Sequence, residues 1–247
     1  MISLSIVIPA YNEADTIERT IQQALVFGPQ VASLIEVVVC NDASTDDTGA
    51  IVDRLALADS RIRVIHRKQN RGIEASIRAL YATARHEYVF LNSADGQWPM
   101  DCLLPLAEAV AAGADLVVGR RENKLVVYTP YRRVLSATFE RVVRLLGSPV
   151  GDPGSIKLGR ASLLHIPVAS RGVFSEGERL IRAGRAGCRV EERAVEFKRR
   201  SAGKAMGARP AMVAQALFDV VRTFSSVRWG WPHPHVPPLD PDDPAKL

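Results

Sequence analysis

Short apolar runs alternate with segments of helical periodicity through the first half of the chain, and this alternation most constrains the fold. Runs of strand length, rich in β-branched residues, occupy residues 4–8, 34–39, 63–65, 88–91 and 116–118. Segments of helical period lie between them, at residues 14–25, 46–58, 72–84 and 100–112. The alternation predicts an α/β fold with a parallel sheet. Because apolar and polar residues do not alternate within the runs, we expect helices on both faces of that sheet.

Carboxylates follow three of the predicted strands. Glu13, Asp42 and Asp95 each stand a few residues beyond an apolar run. In a parallel sheet the carboxyl ends of the strands share one rim, where ligands bind, so we expect the three side chains to converge. A carboxylate at the end of a buried strand is unfavourable without a cation or a polar ligand. Carboxylate oxygens can accept hydrogen bonds from a base or a ribose, and can hold a divalent cation on a diphosphate.

Composition narrows the class of protein. The 247 residues are 47% hydrophobic and 24% charged, which is a globular balance for one large domain or two small ones. The net charge of +5 suits anionic ligands without choosing among nucleic acid, phosphorylated metabolites and acidic lipid. The three cysteines are widely spaced, which argues against a zinc site or a disulfide framework and fits a reduced, cytoplasmic setting.

The beginning of the chain reads as a first strand and not as a signal peptide, because it lacks a basic segment and a cleavage site. No run approaches the roughly 20 apolar residues of a membrane span. We therefore expect a soluble protein, or one that contacts a membrane only peripherally at its inner face.

The pattern changes after residue 120. Residues 121–146 predict one basic helix preceded by a loop, and 147–154 a turn-rich connector. Strands are predicted near 156–158 and 189–197, on either side of a helix over 176–186. An amphipathic helix at 209–230 is expected to pack on the core or to form a homodimer, and the proline-rich tail at 231–247 to have no packed core.

Five short motifs follow one another in order. They are Ile-Pro-Ala-Tyr-Asn-Glu at 8–13, Asn-Asp-Ala-Ser-Thr-Asp-Asp-Thr at 41–48, Asn-Arg-Gly at 70–72, Ala-Asp-Gly-Gln-Trp-Pro at 94–99 and Gly-Lys at 203–204. Their order and spacing resemble the family 2 glycosyltransferases with a GT-A fold. Within that family the sequence is most similar to the dolichyl-phosphate mannose synthase and polyprenyl-phosphate glycosyltransferase group. The resemblance covers about residues 3–210.

The resemblance implies a Rossmann-like GT-A domain over 1–208, with a C-terminal extension on the acceptor side. Its nucleotide-binding half would span about 1–120 and its acceptor half about 121–208. It also implies an inverting transfer of a sugar from a UDP- or GDP-linked donor to a polyprenyl phosphate or to a soluble hydroxyl acceptor. A divalent ion, Mg²⁺ or Mn²⁺, would accompany the donor.

The family's functional residues carry over by position. The nucleotide and its ion would be bound by Pro9, Ala10, Tyr11, Glu13, Asp42, Arg71, Gly72, Ser93, Ala94 and Asp95. The catalytic set would comprise Asp95, Glu176, Arg200 and Lys204, with Asp95 as the metal ligand. In this scheme Asp42 reads the base, and Arg200 and Lys204 neutralise phosphate. Glu176 and Glu178 match an acidic segment near the acceptor.

Three positions depart from the family pattern. Asn41 replaces the first residue of an Asp-Asp pair, and Ser93 replaces the first residue of an Asp-X-Asp motif. The segment at 152–157, which begins with Asp152, matches its counterpart with one residue missing. The absent carboxylate at Ser93 predicts a weaker or altered dependence on metal.

Several alternatives stay open. Glu176 either deprotonates a hydroxyl acceptor or belongs to a solvated face. The basic residues from Arg182 to Lys204 either form a solvated face or meet an anionic acceptor or membrane surface, whereas nucleic acid is disfavoured because no aromatic residues are interleaved for stacking. His165 reads as a structural histidine. The alternatives to a glycosyltransferase are a nucleotidyltransferase that makes a sugar nucleotide, and a catalytically degenerate nucleotide-binding protein.

Overall fold

The computed structural model of the chain describes residues 1–170, 172, 174–198, 215–216, 218–221 and 223, with the backbone alone at 125 and 126. The strands are β1 (Ile2–Ala10), β2 (Ala32–Asn41), β3 (Ile62–His66), β4 (Tyr88–Leu91), β5 (Leu116–Arg121), β6 (Lys157–Arg160) and β7 (Val190–Val195). The helices are α1 (Ile17–Val31), α2 (Thr48–Ala58), α3 (Ile73–Thr83), α4 (Leu103–Ala111, entered through a 3₁₀ turn at Met100–Cys102), α5 (Lys124–Val127), α6 (Pro130–Leu145), α7 (Ala161–Leu164) and α8 (Ser175–Arg185).

The seven strands form one sheet in the order β3-β2-β1-β4-β6-β5-β7. Strand β6 runs antiparallel to both of its neighbours, and every other pairing is parallel. The predicted mostly parallel α/β sheet is therefore confirmed. Strand β1 lies between β2 and β4, so the loops that follow these three strands open at the same rim.

Both faces of the sheet are covered, as the continuous apolar runs predicted. Successive side chains of a strand point to opposite faces. In β1, Ile6 packs in one buried cluster with Ile17 of α1 and Leu103 of α4. Its neighbour Val7 packs in a second cluster with Leu80 of α3. Each fully buried aliphatic side chain contributes about 1.5–3 kcal/mol, so the strands that position the rim are held from both sides.

The predicted helix over 121–146 is wrong at its beginning. Strand β5 extends through Arg121, and the helical residues divide into α5 and α6. Thr129 separates the two helices: its side chain accepts a hydrogen bond from the backbone of Arg132 at 3.3 Å, and Pro130 opens α6. Threonine followed by proline is a favourable helix start, and this local signal outweighs the longer periodic pattern.

The later elements agree with the sequence. Strands β6 and β7 and helix α8 lie within one or two residues of the predicted spans. Of the predicted helix at 209–230, the residues at 215–216, 218–221 and 223 are helical. The rest of that segment and the tail at 231–247 lie outside the described residues. In the part of the chain that the structure describes, no helix combines the length and apolar character needed to cross a bilayer.

Candidate functional site

The loops after β1 and β2 are joined by hydrogen bonds at the expected rim. The backbone of Asn12 donates to Ser44 Oγ at 3.0 Å, and the Asn12 side-chain oxygen accepts from the backbone of Thr45 at 2.8 Å. The backbone of Glu13 donates to Thr48 Oγ1 at 2.8 Å. Asn12 adopts a left-handed conformation, with φ of 55°, which asparagine tolerates better than most residues. The two loops therefore form one rigid surface.

The residues predicted for the first nucleotide-binding loop divide into two pairs. Pro9 and Ala10 are buried at the end of β1, so they shape the floor of the rim. Tyr11 is exposed and Glu13 is partly buried beyond the strand. Of the predicted binding residues in this loop, Tyr11 and Glu13 are thus the ones that lie beyond the sheet.

Asp42 and the Arg71-Gly72 segment form a single unit. The buried carboxylate of Asp42 accepts hydrogen bonds from the backbone of Arg71 at 3.0 Å and from that of Gly72 at 2.7 Å. The guanidinium of Arg67 lies 3.8 Å away. Gly72 has φ of 82°, and the space beyond its Cα is open. A side chain here would be strained and would fill that space, so the glycine leaves room beside Asp42.

Asp95 keeps one carboxylate oxygen open. Its Oδ1 accepts from Ser93 Oγ at 2.6 Å and from the backbone of Gln97 at 3.1 Å. Within the described residues, Oδ2 accepts no hydrogen bond. Ala94, between them, is buried. The serine that replaces an aspartate in the family motif therefore orients the remaining carboxylate.

The rim contains only a partial set of metal ligands. No three aspartate, glutamate, histidine or cysteine side chains lie together as a metal cluster in the described ranges. A hard divalent cation takes oxygen ligands and commonly keeps waters and substrate phosphates among them. The open Oδ2 of Asp95 fits such an ion as one ligand, provided that a diphosphate and water supply the others.

An aromatic and cationic wall stands next to Asp95. The rings of Trp98 and Phe197 lie 4.7 Å apart, and the Arg121 guanidinium lies 5.1 Å from the Trp98 ring and 5.0 Å from the Phe197 ring. Lys198 donates its backbone N–H to Gln97 at 2.8 Å. The chain thus passes beside the Asp95 loop two residues before Arg200. Arg200 and Lys204 themselves lie outside the described residues.

Asp152 lies buried between two cations that the sequence analysis missed. Lys124 Nζ stands 2.9 Å from its carboxylate, and the Arg121 guanidinium stands 3.7 Å away. The available signal was the pair of arginines that ends β5, followed three residues later by Lys124. It was missed because the strand was predicted to end at residue 118, and residues 121–146 were interpreted as a helix preceded by a loop.

Glu176 lies in a buried ion-pair cluster, so the alternative that it belongs to a solvated face is excluded. Its carboxylate meets Lys157 Nζ at 2.7 Å, Arg179 Nε at 3.1 Å and the Tyr81 hydroxyl at 3.1 Å. Burial raises the pKa of Glu176, but the charges of Lys157 and Arg179 together hold this pKa below its usual value. Both oxygens are occupied, so a role as general base stays a prediction that the geometry does not support.

Glu74, in the first turn of α3, joins this cluster and was also missed. It accepts a hydrogen bond from Ser175 Oγ. Burial, followed by the negative charge of Glu176, raises the pKa of Glu74 to about 7. Nothing in the sequence distinguishes it from an ordinary helix-start glutamate, because its neighbours come from α8, about a hundred residues later.

Two further calls concern the acidic and basic residues of α8. Glu178 is buried and accepts from the backbones of Ala169 and Ser170, each at 2.9 Å. Arg182 is buried and pairs with Glu178. The interpretation of Arg182 as part of a solvated face is therefore wrong. His165 is partly buried and contacts the Tyr81 carbonyl, which suits the expected structural role.

Comparison with known proteins gives a family match over more than half of the chain. The model of the family described as Glycosyl transferase family 2 matches residues 5–165. Glycosyltransferase AglD of Haloferax volcanii is 33% identical over 209 residues, which are 80% of this chain and 33% of that protein. Polyprenol monophosphomannose synthase of Mycolicibacterium smegmatis is 37% identical over 60% of this chain and 57% of its own length. The chain thus spans a third and somewhat over half of these two relatives.

A third relative is matched over nearly its whole length. Undecaprenyl-phosphate mannosyltransferase of Micrococcus luteus is 27% identical over 90% of this chain and 94% of its own. Among solved structures, glucosyl-3-phosphoglycerate synthase of Mycobacterium tuberculosis, crystallised with Mn²⁺, uridine diphosphate and glucosyl-3-phosphoglycerate, has a TM-score of 0.68 at 22% identity, over 91% of this chain and 80% of that one. At this identity the likeness shows the fold, which is of the GT-A type.

Proposed function

We propose that this chain, which belongs to glycosyl transferase family 2, moves a sugar with inversion from a UDP- or GDP-linked donor to a polyprenyl phosphate. The observation that carries the proposal is the Asp95 carboxylate at the same rim as the Asp42 unit, with one oxygen that accepts no hydrogen bond from the described residues. A rim of this kind offers a base-recognition carboxylate and a metal-binding carboxylate, which are the two functions that a nucleotide-sugar donor requires.

The donor side of the site consists of groups that are already ordered. The carboxylate of Asp42 keeps acceptor capacity for a base or ribose group while it holds Arg71 and Gly72. The open space beyond Gly72 leaves room for the nucleotide to approach the backbone. Tyr11 and Glu13 complete this side.

The ion would be held by Asp95. The chemistry that Mg²⁺ or Mn²⁺ supplies when bound is neutralisation of the diphosphate as negative charge develops on the leaving group. Ser93 holds Oδ1, so the remaining oxygen is oriented in advance. Arg200 and Lys204 are proposed to add positive charge on the same side.

The choice of acceptor depends on Glu176 and on the relatives. Arg121 and Lys124 lie next to the Asp95 loop, but Asp152 and Glu140 already compensate their charges. A phosphate acceptor is already a nucleophile and needs no general base, which agrees with the ion-paired state of Glu176. Two relatives are named for polyprenol and undecaprenyl phosphate acceptors. These observations together support a polyprenyl phosphate over a soluble hydroxyl acceptor.

The proposed step is a single displacement. An oxygen of the acceptor phosphate attacks the anomeric carbon, and the bond from that carbon to the β-phosphate oxygen of the donor breaks on the opposite face. The nucleoside diphosphate departs with the electron pair. Because such an acceptor is anchored in a membrane, we propose that the protein is cytoplasmic and contacts the inner membrane face peripherally.

A catalytically degenerate nucleotide-binding protein is the second candidate, because Ser93 removes one carboxylate from the metal motif. Family membership argues against the nucleotidyltransferase. Two measurements separate the remaining candidates: thermal shift with UDP and GDP, each with and without Mn²⁺, and transfer from labelled nucleotide sugars to a short-chain polyprenyl phosphate. Transfer supports the proposal, whereas a nucleotide-dependent shift without any transfer supports the degenerate protein. No shift with either nucleotide would contradict both.

A further inference from the structure

Lys157 is a buried cation in the middle of the sheet. It is the first residue of β6, and its side chain is 1% exposed. Its register partners are Leu91, the last residue of β4, and Val118 of β5. Strand β4 leads directly into the Asp95 loop. Lysine is almost never buried so completely unless its charge is paired, so the contacts of this ammonium group show what holds it there.

Each of the three N–H groups of the Lys157 ammonium has an acceptor. Nζ donates to the Glu176 carboxylate at 2.7 Å, to the Pro153 carbonyl at 3.1 Å and to the Ser155 carbonyl at 3.0 Å. Because lysine carries three donors and no acceptor, this capacity is fully used. The glutamate supplies the opposite charge, and the two carbonyls belong to the segment just before β6. Lys157 therefore joins that segment to the buried Glu176 cluster.

The segment, named here the Asp152 loop and defined as residues 152–155, is also bonded to the end of β5. The hydroxyl of Ser155 donates to the Gly119 carbonyl. The Asp152 carboxylate accepts from the backbone of Arg121 at 3.3 Å and lies 3.7 Å from its guanidinium. Lys157 holds the carbonyls of the loop on one side, and the end of β5 holds its side chains on the other.

We propose that Lys157 is a positioning residue for the sugar transfer, which acts by fixing the Asp152 loop and, through Asp152, the Arg121 guanidinium beside the Asp95 loop. The Arg121 guanidinium lies 5.1 Å from the Trp98 ring in the wall next to Asp95, so a shift of Asp152 would change the position of a cation at the site. The inference rests on the proposed function for its effect on transfer, whereas the hold on the loop can be measured without substrates.

The simpler alternative is that Lys157 only neutralises Glu176. Neutralisation does not require the two loop carbonyls, yet two of the three hydrogen bonds of the ammonium go to them. A buried ion pair is also not needed for stability as such, because replacing both of its members by neutral groups is often without cost. Removal of both charges therefore separates the two roles: it abolishes the need for neutralisation and still deprives the loop of its donor.

The test uses the double variant Lys157→Met with Glu176→Gln, compared with Lys157→Met alone. The single variant leaves the Glu176 charge with fewer partners, whereas the double variant removes that charge as well and should recover most of the lost stability. The new amide still accepts from Arg179, and the Glu74 carboxyl, which also interacts with Arg179, remains to balance that cation. Urea unfolding of both variants measures the recovery.

Amide hydrogen exchange then reports on the loop. The backbone of Ser155 donates to the Asp152 carbonyl at 3.2 Å, so its amide is a probe of loop order, and the amide of Val7 in β1 is the internal reference for general loss of stability. In the double variant, exchange at Ser155 should rise by about tenfold or more relative to exchange at Val7. An unchanged ratio of the two exchange rates would overturn the proposal, whether or not stability recovers.

The matched control is Arg63→Met with Glu36→Gln. This pair has a buried glutamate and an Arg63 Nη1 to Glu36 Oε2 distance of 2.7 Å, but Glu36 lies near the beginning of β2, away from the carboxyl ends of the strands. The control should leave exchange at Ser155, relative to Val7, as it is in the unaltered chain. An equal rise in the control and the double variant would show that loss of any buried pair loosens the loop.

Sugar transfer by the same variants tests the consequence for the reaction. The double variant should keep the UDP or GDP thermal shift and the KM for the donor, while kcat/KM for the polyprenyl phosphate falls by about 100-fold because a cation at the site is misplaced. Normal transfer by the double variant would contradict a positioning role. If the unaltered chain transfers no sugar, the proposed function fails, and the exchange ratio alone decides whether Lys157 fixes the loop.

Discussion

Asp95 and Glu176 were both expected to act in catalysis, and the structure gives them opposite environments. Asp95 stands at the sheet rim with one oxygen held by Ser93 and Gln97, and its other oxygen accepts no hydrogen bond from any residue that the structure describes. Glu176 is buried, and Lys157, Arg179 and Tyr81 occupy its carboxylate. A carboxylate with an unoccupied oxygen can bind an incoming cation, whereas the carboxylate of Glu176 is already satisfied by cations of the protein, whose removal would leave a buried charge unpaired. Two acidic residues that both match family motifs thus differ in whether their carboxylates can bind a ligand.

The largest effect should come from breaking the buried pair. Lys157→Met leaves the Glu176 charge with fewer partners, so we expect the free energy of unfolding to fall by about 3–5 kcal/mol. Urea unfolding measures it. The matched control is Arg54→Met, which breaks the exposed pair with Glu18 and should change stability by about 1 kcal/mol or less. A loss for Lys157→Met no larger than that of the control would erase the contrast with Asp95.

Asp95→Asn should lower activity and leave stability nearly unchanged, in contrast to the loss of stability expected for Lys157→Met. The amide keeps an acceptor for Ser93 and Gln97 but loses the charge that binds the ion, so we expect kcat to fall by about 100- to 1000-fold with little change in stability. Sugar transfer and thermal melting measure the two effects. Asp101→Asn, at an exposed aspartate nearby in the chain, is the control and should retain activity. Near-normal transfer by Asp95→Asn would refute the metal assignment.

Glu74 is expected to make the stability that comes from the buried Glu176 cluster depend on pH. Its pKa is about 7 in the folded protein against an ordinary 4.5, so the folded state binds more protons between these values. Its contribution is therefore present below about pH 4.5 and is lost as pH rises toward 7. Glu74→Gln should flatten this decline, by about 1–3 kcal/mol across the window. Urea unfolding at several pH values measures it.

The control for Glu74 is Glu108→Gln, at an exposed glutamate on α4, which should leave the pH dependence unchanged. The groups that act on Glu74 are Lys157, Arg179, Ser175, Glu176 and Tyr81. An identical pH dependence in Glu74→Gln and the unaltered chain would remove Glu74 from the titrating cluster.

Substitutions of Ser93 should have the smallest effect, because they change only how the Asp95 carboxylate is oriented. Ser93→Ala removes one hydrogen bond to Asp95 but keeps the carboxylate, so we expect the Mn²⁺ concentration for half-maximal transfer to rise by about tenfold or less. Ser93→Asp supplies the second carboxylate of the family motif and should lower that concentration. Titration of transfer activity with Mn²⁺ measures both. Indifference to both changes would mean that Ser93 does not orient the metal ligand.

Much of the structure of residues 1–120 could be predicted because its signals are local. The apolar runs that became β1 to β5 are continuous and regularly spaced, and Glu13, Asp42 and Asp95 follow directly from them. The start of α6 was missed although Thr129 and Pro130 signal it. The antiparallel direction of β6 could not be predicted, since four residues such as Lys157–Arg160 contain no information about the direction of their neighbours.

The sequence by itself determined the mostly parallel α/β architecture, the family and the rim where polar residues gather, because strand periodicity and short motifs depend on neighbours along the chain. Tertiary structure alone decided which carboxylates are already paired within the protein and which can bind a ligand. The partners of Glu176 come from positions 81, 157 and 179, and those of Asp42 from 71 and 72. The function of a carboxylate depends on the cations and N–H groups that the fold brings within about 3 Å of it.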